Sequence, residues 1–189
     1  AALPAAPEQA PRLLAEDPDP YVRRAALRTV RSPAGRQHLG PERVRQAALL
    51  ASGASDPWLR TEAAALLSAM AEDSAGLVAL LRLSRDPVES VRAAAADGLQ
   101  DPAITPRLRS LIDWGPRSDR APATPAALAP DERAAAYAWI ALHEGAVASE
   151  LLQRARLDPS EPDAVRQILP SLLFLSTGES PDADEPGAS

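Results

Sequence analysis

One recurring phrase restricts the fold of this chain more than any other feature. Residues 84–99 read SRDPVESVRAAAADGL, an Asp-Pro followed by Val-Arg and a run of alanines. Close variants stand at 17–30 (DPDPYVRRAALRTV), 56–67 (DPWLRTEAAALL) and 158–173 (DPSEPDAVRQILPSLL). A weaker copy, PDERAAAYAWIAL at 130–142, puts Glu132 in the apolar slot before Arg133. Aligned on Val22-Arg23, Leu59-Arg60, Val91-Arg92, Glu132-Arg133 and Val165-Arg166, the copies are 37, 32, 41 and 33 residues apart. Periods in this range mark stacked helical repeats, each too small to bury its apolar face alone.

Each copy carries the signals of a helix start. An Asp can accept the unpaired N–H groups of a first turn, and Pro fits there because that turn needs no N–H donor from it. Apolar residues follow at helical spacing: Val22, Ala25, Ala26 and Val30 in the first copy, Val91, Ala94, Ala95 and Leu99 in the third. That is the pattern of one buried face. Aromatic residues make up only 3% of the chain and alanine is abundant, so the core must be built from closely approaching helices. An all-α fold follows.

A second helix precedes each copy: 7–16, 41–52, 74–84, 104–113 and 145–156. The plan is a helix, a tight Asp-Pro turn, a second helix and a connector, repeated. On these turns and the Val-Arg and Ala that follow them, the chain resembles the HEAT-repeat family over about residues 7–175. The resemblance implies an all-α, right-handed α-α superhelix, a HEAT/armadillo-like solenoid of about five helical hairpins. It also implies a concave face lined by the second helix of each pair, used to bind other proteins.

Some segments depart from the plan. Residues 115–129, rich in Pro and Ala, form a loop longer than hairpins need. Residues 176–189 are acidic and nearly without bulky apolar groups, and are expected to be a disordered tail. Residues 1–6 read as a linker or disordered start. The opening AALPAAPEQAP suits the stretch after a removed signal peptide as well as a linker in a longer protein, so exported and cytoplasmic locations both stand. All twenty basic residues are arginine, which fits the coding bias of a GC-rich, bacterial genome.

The chemistry this composition excludes is considerable. With no lysine there is no Schiff base or P-loop, and with no cysteine there is no disulfide, thiol nucleophile or zinc-thiolate site. Net charge is −6, and residues 121–189 hold four Arg against eleven acids, a poor match for a phosphate backbone. His38, in the connector SPAGRQHLG, and His143, at a helix end, have no metal-ligand spacing. No serine-hydrolase elbow or metalloprotease motif occurs. Trp58 and Trp139 suit packing between pairs, and Asp113-Trp114 suits a helix end.

The Arg series 23, 60, 92, 133 and 166 is expected to pair with turn acids such as Asp17, Asp19, Asp56, Asp86, Asp131 or Asp163, or with turn carbonyls. A different set is assigned to a partner: Arg24, Arg28 and Arg31 at i, i+4, i+7, with Thr61 and Asp97 at matching positions on the later helices. The expected role is a non-catalytic scaffold or adaptor, without cofactor or metal, that holds a protein or acidic peptide segment. Nucleic acid and membrane insertion are not expected. The alternatives are a structural subunit of a larger assembly, or a HEAT-like enzyme of the DNA glycosylase or bilin lyase kind centred on Asp113.

Overall fold

A computed structural model describes residues 6–70, 74–113 and 128–178. The described residues form α-helices and one 3-10 turn, with no strand among them. The chain divides into two compact units, Ala1–Ile104 and Thr105–Ser189.

In the first unit, α1 (Ala10–Glu16), α3 (Pro33–Ser52) and α5 (Ser74–Leu83) alternate with α2 (Pro20–Arg31), α4 (Pro57–Ser68) and α6 (Glu89–Leu99). The members of each pair, α1 with α2, α3 with α4 and α5 with α6, pack against each other. The even helices also pack in succession, α2 on α4 and α4 on α6, and so do the odd ones. This is an α-solenoid.

The Asp-Pro turns work as their sequence suggests. Asp19 and Asp56 are N-caps whose carboxylates accept the N–H of Tyr21 (2.8 Å) and Trp58 (3.0 Å), with Pro20 and Pro57 opening the helices. Asp86 accepts from Val88 N–H in the same way (2.9 Å), although α6 begins only at Glu89. Asp17, Asp101 and Asp158 repeat the same bond to the residue two further on. These side chains satisfy donors that the helix itself leaves unpaired.

The segment SPAGRQHLG is not a connector. Residues 33–39 are helical, capped by the Ser32 hydroxyl, which accepts Gly35 N–H at 3.0 Å. Gly40, with φ at 74°, then breaks the helix ahead of Pro41, so α3 is two segments. A left-handed residue followed by Pro stops one helix and starts the next at low cost only when the first is glycine.

The alanine-rich core has the close approach its composition demands. Ala63, Ala64 and Ala95 are fully buried, as are Leu59, Leu67, Leu80 and Leu99. A Cβ at Gly98 would lie 1.9 Å from Ser68 Oγ, so α6 sits against α4 at a distance only glycine permits.

The second unit holds most of α7 (Ile104–Asp113), α8 (Pro130–Glu144), the 3-10 turn η1 (Gly145–Ala148), α9 (Ser149–Leu157) and α10 (Asp163–Thr177). The expected helix 145–156 therefore starts as a 3-10 turn. Here α10 packs on α8, α9 and η1. Glu132 stands in the apolar slot because its carboxylate accepts Ala129 N–H at 2.9 Å and caps α8. Most of the 115–129 excursion, all of 1–5 and 179–189 of the expected tail lie outside the described residues; Ser176 and Thr177 belong to α10.

Candidate interaction surface

The repeated register of turn and helix brings arginines onto the turns of their own and neighbouring repeats. Arg60 donates through Nε and Nη2 to both oxygens of Asp86, at 2.7 and 2.9 Å. Its Nη1 donates to the carbonyls of Ala54 and Ser55, at 2.9 and 3.0 Å. Arg92 does the same one repeat later, with the carbonyls of Asp86 and Pro87, at the same sequence offsets. Arg166 pairs with Asp163. Arg133 departs from the expected acids: its partner is Glu161. Arg23 departs further, since its Nε is buried without a hydrogen-bond partner among the described residues.

The rung expected of Arg23 is made by Arg24, which grips Asp56 through two bonds of 2.6 and 2.8 Å. Asp56 is buried, and the Arg24 hydrogen bond holds its carboxyl below the usual range against the opposing effect of burial. Asp86 is lowered likewise by Arg60.

Arg24 also belongs to a stack. Tyr21, Arg24, Arg28 and Arg31 lie along α2 at helical spacing, and the arginines meet Trp58 and Glu62 on α4. The Arg24 guanidinium lies 5.9 Å from the Tyr21 ring centre and 5.7 Å from that of Trp58. Arg28 covers Trp58 at 5.0 Å. At these distances ring and cation attract. Arg31 pairs with Glu62. Tyr21 is 72% exposed and Arg28 is exposed, with no carboxylate partner among the described residues.

The sites named from sequence are thus partly brought together. Arg24, Arg28 and Arg31 share one face, but Arg24 and Arg31 are ion-paired with α4 instead of projecting freely. Thr61 lies on α4 one turn beyond Trp58, its hydroxyl donating to Pro57 O at 3.0 Å. Asp97 is exposed on α6, and no described contact joins it to the stack. Tyr21 and Trp58 were not among the expected partner-binding residues. The signal was available: Tyr21 stands three residues before Arg24, and Trp58 follows the very turn whose Asp56 receives that arginine.

In the second unit Arg133, Tyr137 and Glu161 form a buried cluster. Arg133 donates to both oxygens of Glu161 and to Ile112 O at 3.3 Å, and the Tyr137 hydroxyl donates to Glu161 Oε1 at 2.7 Å. Burial, with Glu161 beside it, pushes the Tyr137 hydroxyl upward. All three side chains are closed off from solvent, an arrangement that ties α7 and α8 to the turn before α10. His38 is exposed, 3.8 Å from Glu8, and His143 stacks on Trp139 with ring centres 3.8 Å apart. Asp113 ends α7, but its side chain and Trp114 lie outside the described residues. Among the described residues no cluster of His, Cys, Asp or Glu could hold a metal, and no helix is long and apolar enough to cross a membrane.

The alternating helices, capped turns and arginine ladder coincide with a match to the family model for HEAT repeats over residues 10–100. Residues 10–100 belong to the HEAT-repeat family. The matched HEAT repeats span α1 to α6 and include the whole Tyr21–Arg28–Trp58 stack. No curated protein and no solved structure matches the chain.

Proposed function

We propose that this chain is a non-catalytic scaffold whose HEAT repeats hold an acidic segment of a partner protein on the face shared by α2 and α4. HEAT repeats generally mediate protein–protein interaction. The observation that carries the reading is the stack in which exposed Tyr21 and Arg28 flank half-buried Arg24 and Trp58. Tyr, Trp and Arg are the residues that dominate binding energy at interfaces. Asp56 holds the Arg24 side chain in place, so a partner does not have to order it. Arg28 offers an unpaired guanidinium fork to a carboxylate. Arg31, Thr61 and, further along, Asp97 flank this centre on the same reading.

Selection of peptides from a random displayed library tests it. The wild-type chain should enrich acidic sequences, and Arg28→Glu should abolish that enrichment while leaving the fold intact. Equal enrichment by both proteins would refute the assignment. Arg24→Glu is unsuitable for this purpose, because it would set a second carboxylate against Asp56.

A second reading, a subunit of a larger assembly, is favoured by Leu142, Val147, Phe174 and Leu175, all more than half exposed in the second unit. Sedimentation velocity of wild type against Leu142→Ser/Phe174→Ser separates it: a monomer in both cases would refute self-assembly through these residues.

A further inference from the structure

The two exposed members of the α2–α4 stack lie on one line of α2. Tyr21 and Arg28 are at i and i+7, close to two full turns, and at about 1.5 Å of rise per residue they stand about 10 Å apart. Tyr21 is 72% exposed, and Arg28 is exposed too. The surface between them is filled. Arg24 is half-buried and bound to both oxygens of Asp56, and the half-buried Trp58 ring lies 5.7 Å from Arg24 and 5.0 Å from Arg28. A segment laid along this line therefore meets two anchoring points with a closed floor between them.

The two points ask for different chemistry. Asp56 and Glu62 pair with Arg24 and Arg31, which leaves Arg28 as the guanidinium on this line without a carboxylate among the described residues. The Trp58 ring attracts the Arg28 cation without supplying an acceptor oxygen, so its N–H fork suits an acid. At the other end, Arg24 lies over the Tyr21 ring at 5.9 Å, and most of Tyr21 stays open to solvent. An open aromatic ring packs well on proline, and an extended proline segment is already stiff, so little entropy is lost on docking. Extended chain advances about 3.1–3.4 Å per residue, so about 10 Å corresponds to about three residues. We propose that the partner segment held by α2 and α4 carries a proline on Tyr21 and a carboxylate on Arg28, about three residues apart, with small residues over Arg24 and Trp58 between them. Either chain direction satisfies this spacing. The inference rests on the α2–α4 face being the docking surface, and it adds which sequences that face selects.

Short acetylated and amidated peptides of Ala and Ser, each with one Pro and one Glu, test the spacing in both chain directions. Binding is read on the full chain from the NMR shift of the Trp58 indole N–H. In the better direction, the proposed separation should bind about fivefold more tightly than shorter or longer ones, which can make only one of the two contacts. Replacing Glu by Gln in the peptide should weaken binding about tenfold. Tyr21→Ala should remove the spacing preference and keep the preference for Glu over Gln; Arg28→Gln should remove the preference for Glu. Equal affinity at all separations, or a spacing preference that survives Tyr21→Ala, would overturn the inference and leave the acidic docking face standing. If no Glu peptide binds better than its Gln counterpart, the docking face itself fails and the inference falls with it.

Discussion

Truncating Arg60 to alanine tests whether the arginine ladder supports the repeat array or merely decorates it. The side chain makes two charge-assisted bonds to Asp86 and two more to the carbonyls of Ala54 and Ser55. Its removal leaves the Asp86 carboxylate, only 8% exposed, with Val88 N–H as its remaining partner. Exposed ion pairs contribute up to about 1 kcal/mol, whereas breaking a deeply buried pair costs about 3–5 kcal/mol. The Arg60 side chain keeps 13% of its surface and lies close to solvent, so the expected loss is intermediate, about 2–3 kcal/mol. Arg60→Lys retains the charge but not the planar fork, and should lose about half as much. The assay is urea unfolding followed by circular dichroism, with amide exchange in α4 and α6 to localise the effect, because two units need not unfold together. A cycle with Asp86→Ala should give a coupling above about 1 kcal/mol. A loss below about 0.5 kcal/mol with no coupling would show that the rung contributes nothing beyond a surface contact.

Three further outcomes are expected. Asp56 and Asp86 are held below the ordinary carboxyl range when folded, so their stabilisation is present above a pH of about 4 and lost as pH falls through their folded values; acid titration of the amides of α4 and α6 should show this, and less of it in Asp86→Asn. Gly98→Ala should destabilise the first unit by about 1–3 kcal/mol in thermal unfolding, and Ser68→Gly should recover part of the loss by clearing the space. Glu161→Ala should cost about 3–5 kcal/mol in the second unit, because Arg133 is then left buried without its carboxylate, whereas Arg133→Met/Glu161→Leu together should cost far less.

The helices themselves were legible in the sequence, because their signals are local. Asp-Pro, a capping serine and the i, i+3, i+4 apolar pattern act within a turn or two. Helices were expected in five pairs, and four of these pack as pairs, α1 with α2, α3 with α4, α5 with α6 and α9 with α10; all five arginines of the series were expected on turn acids or carbonyls, which holds for Arg60, Arg92 and Arg166. Two local signals were misjudged: residues 33–39 are helix and the start of 145–156 is a 3-10 turn.

Partner choice was not legible. Arg23 and Arg24 differ by about 100° around α2, and only the packing of α2 on α4 decides that Arg24, not Arg23, reaches Asp56. The same holds for Arg133, which passes over Asp131 and Asp163 for Glu161, because the turn before α10 folds that side chain beneath α8. Trp58 was read as packing between pairs, and its ring does lie between repeats, but against two guanidiniums on an open face. A residue's helix is set by its neighbours in sequence, whereas the direction in which its side chain meets another repeat depends on helix rotation, and that is set by the close fit of alanines and Gly98 in the core.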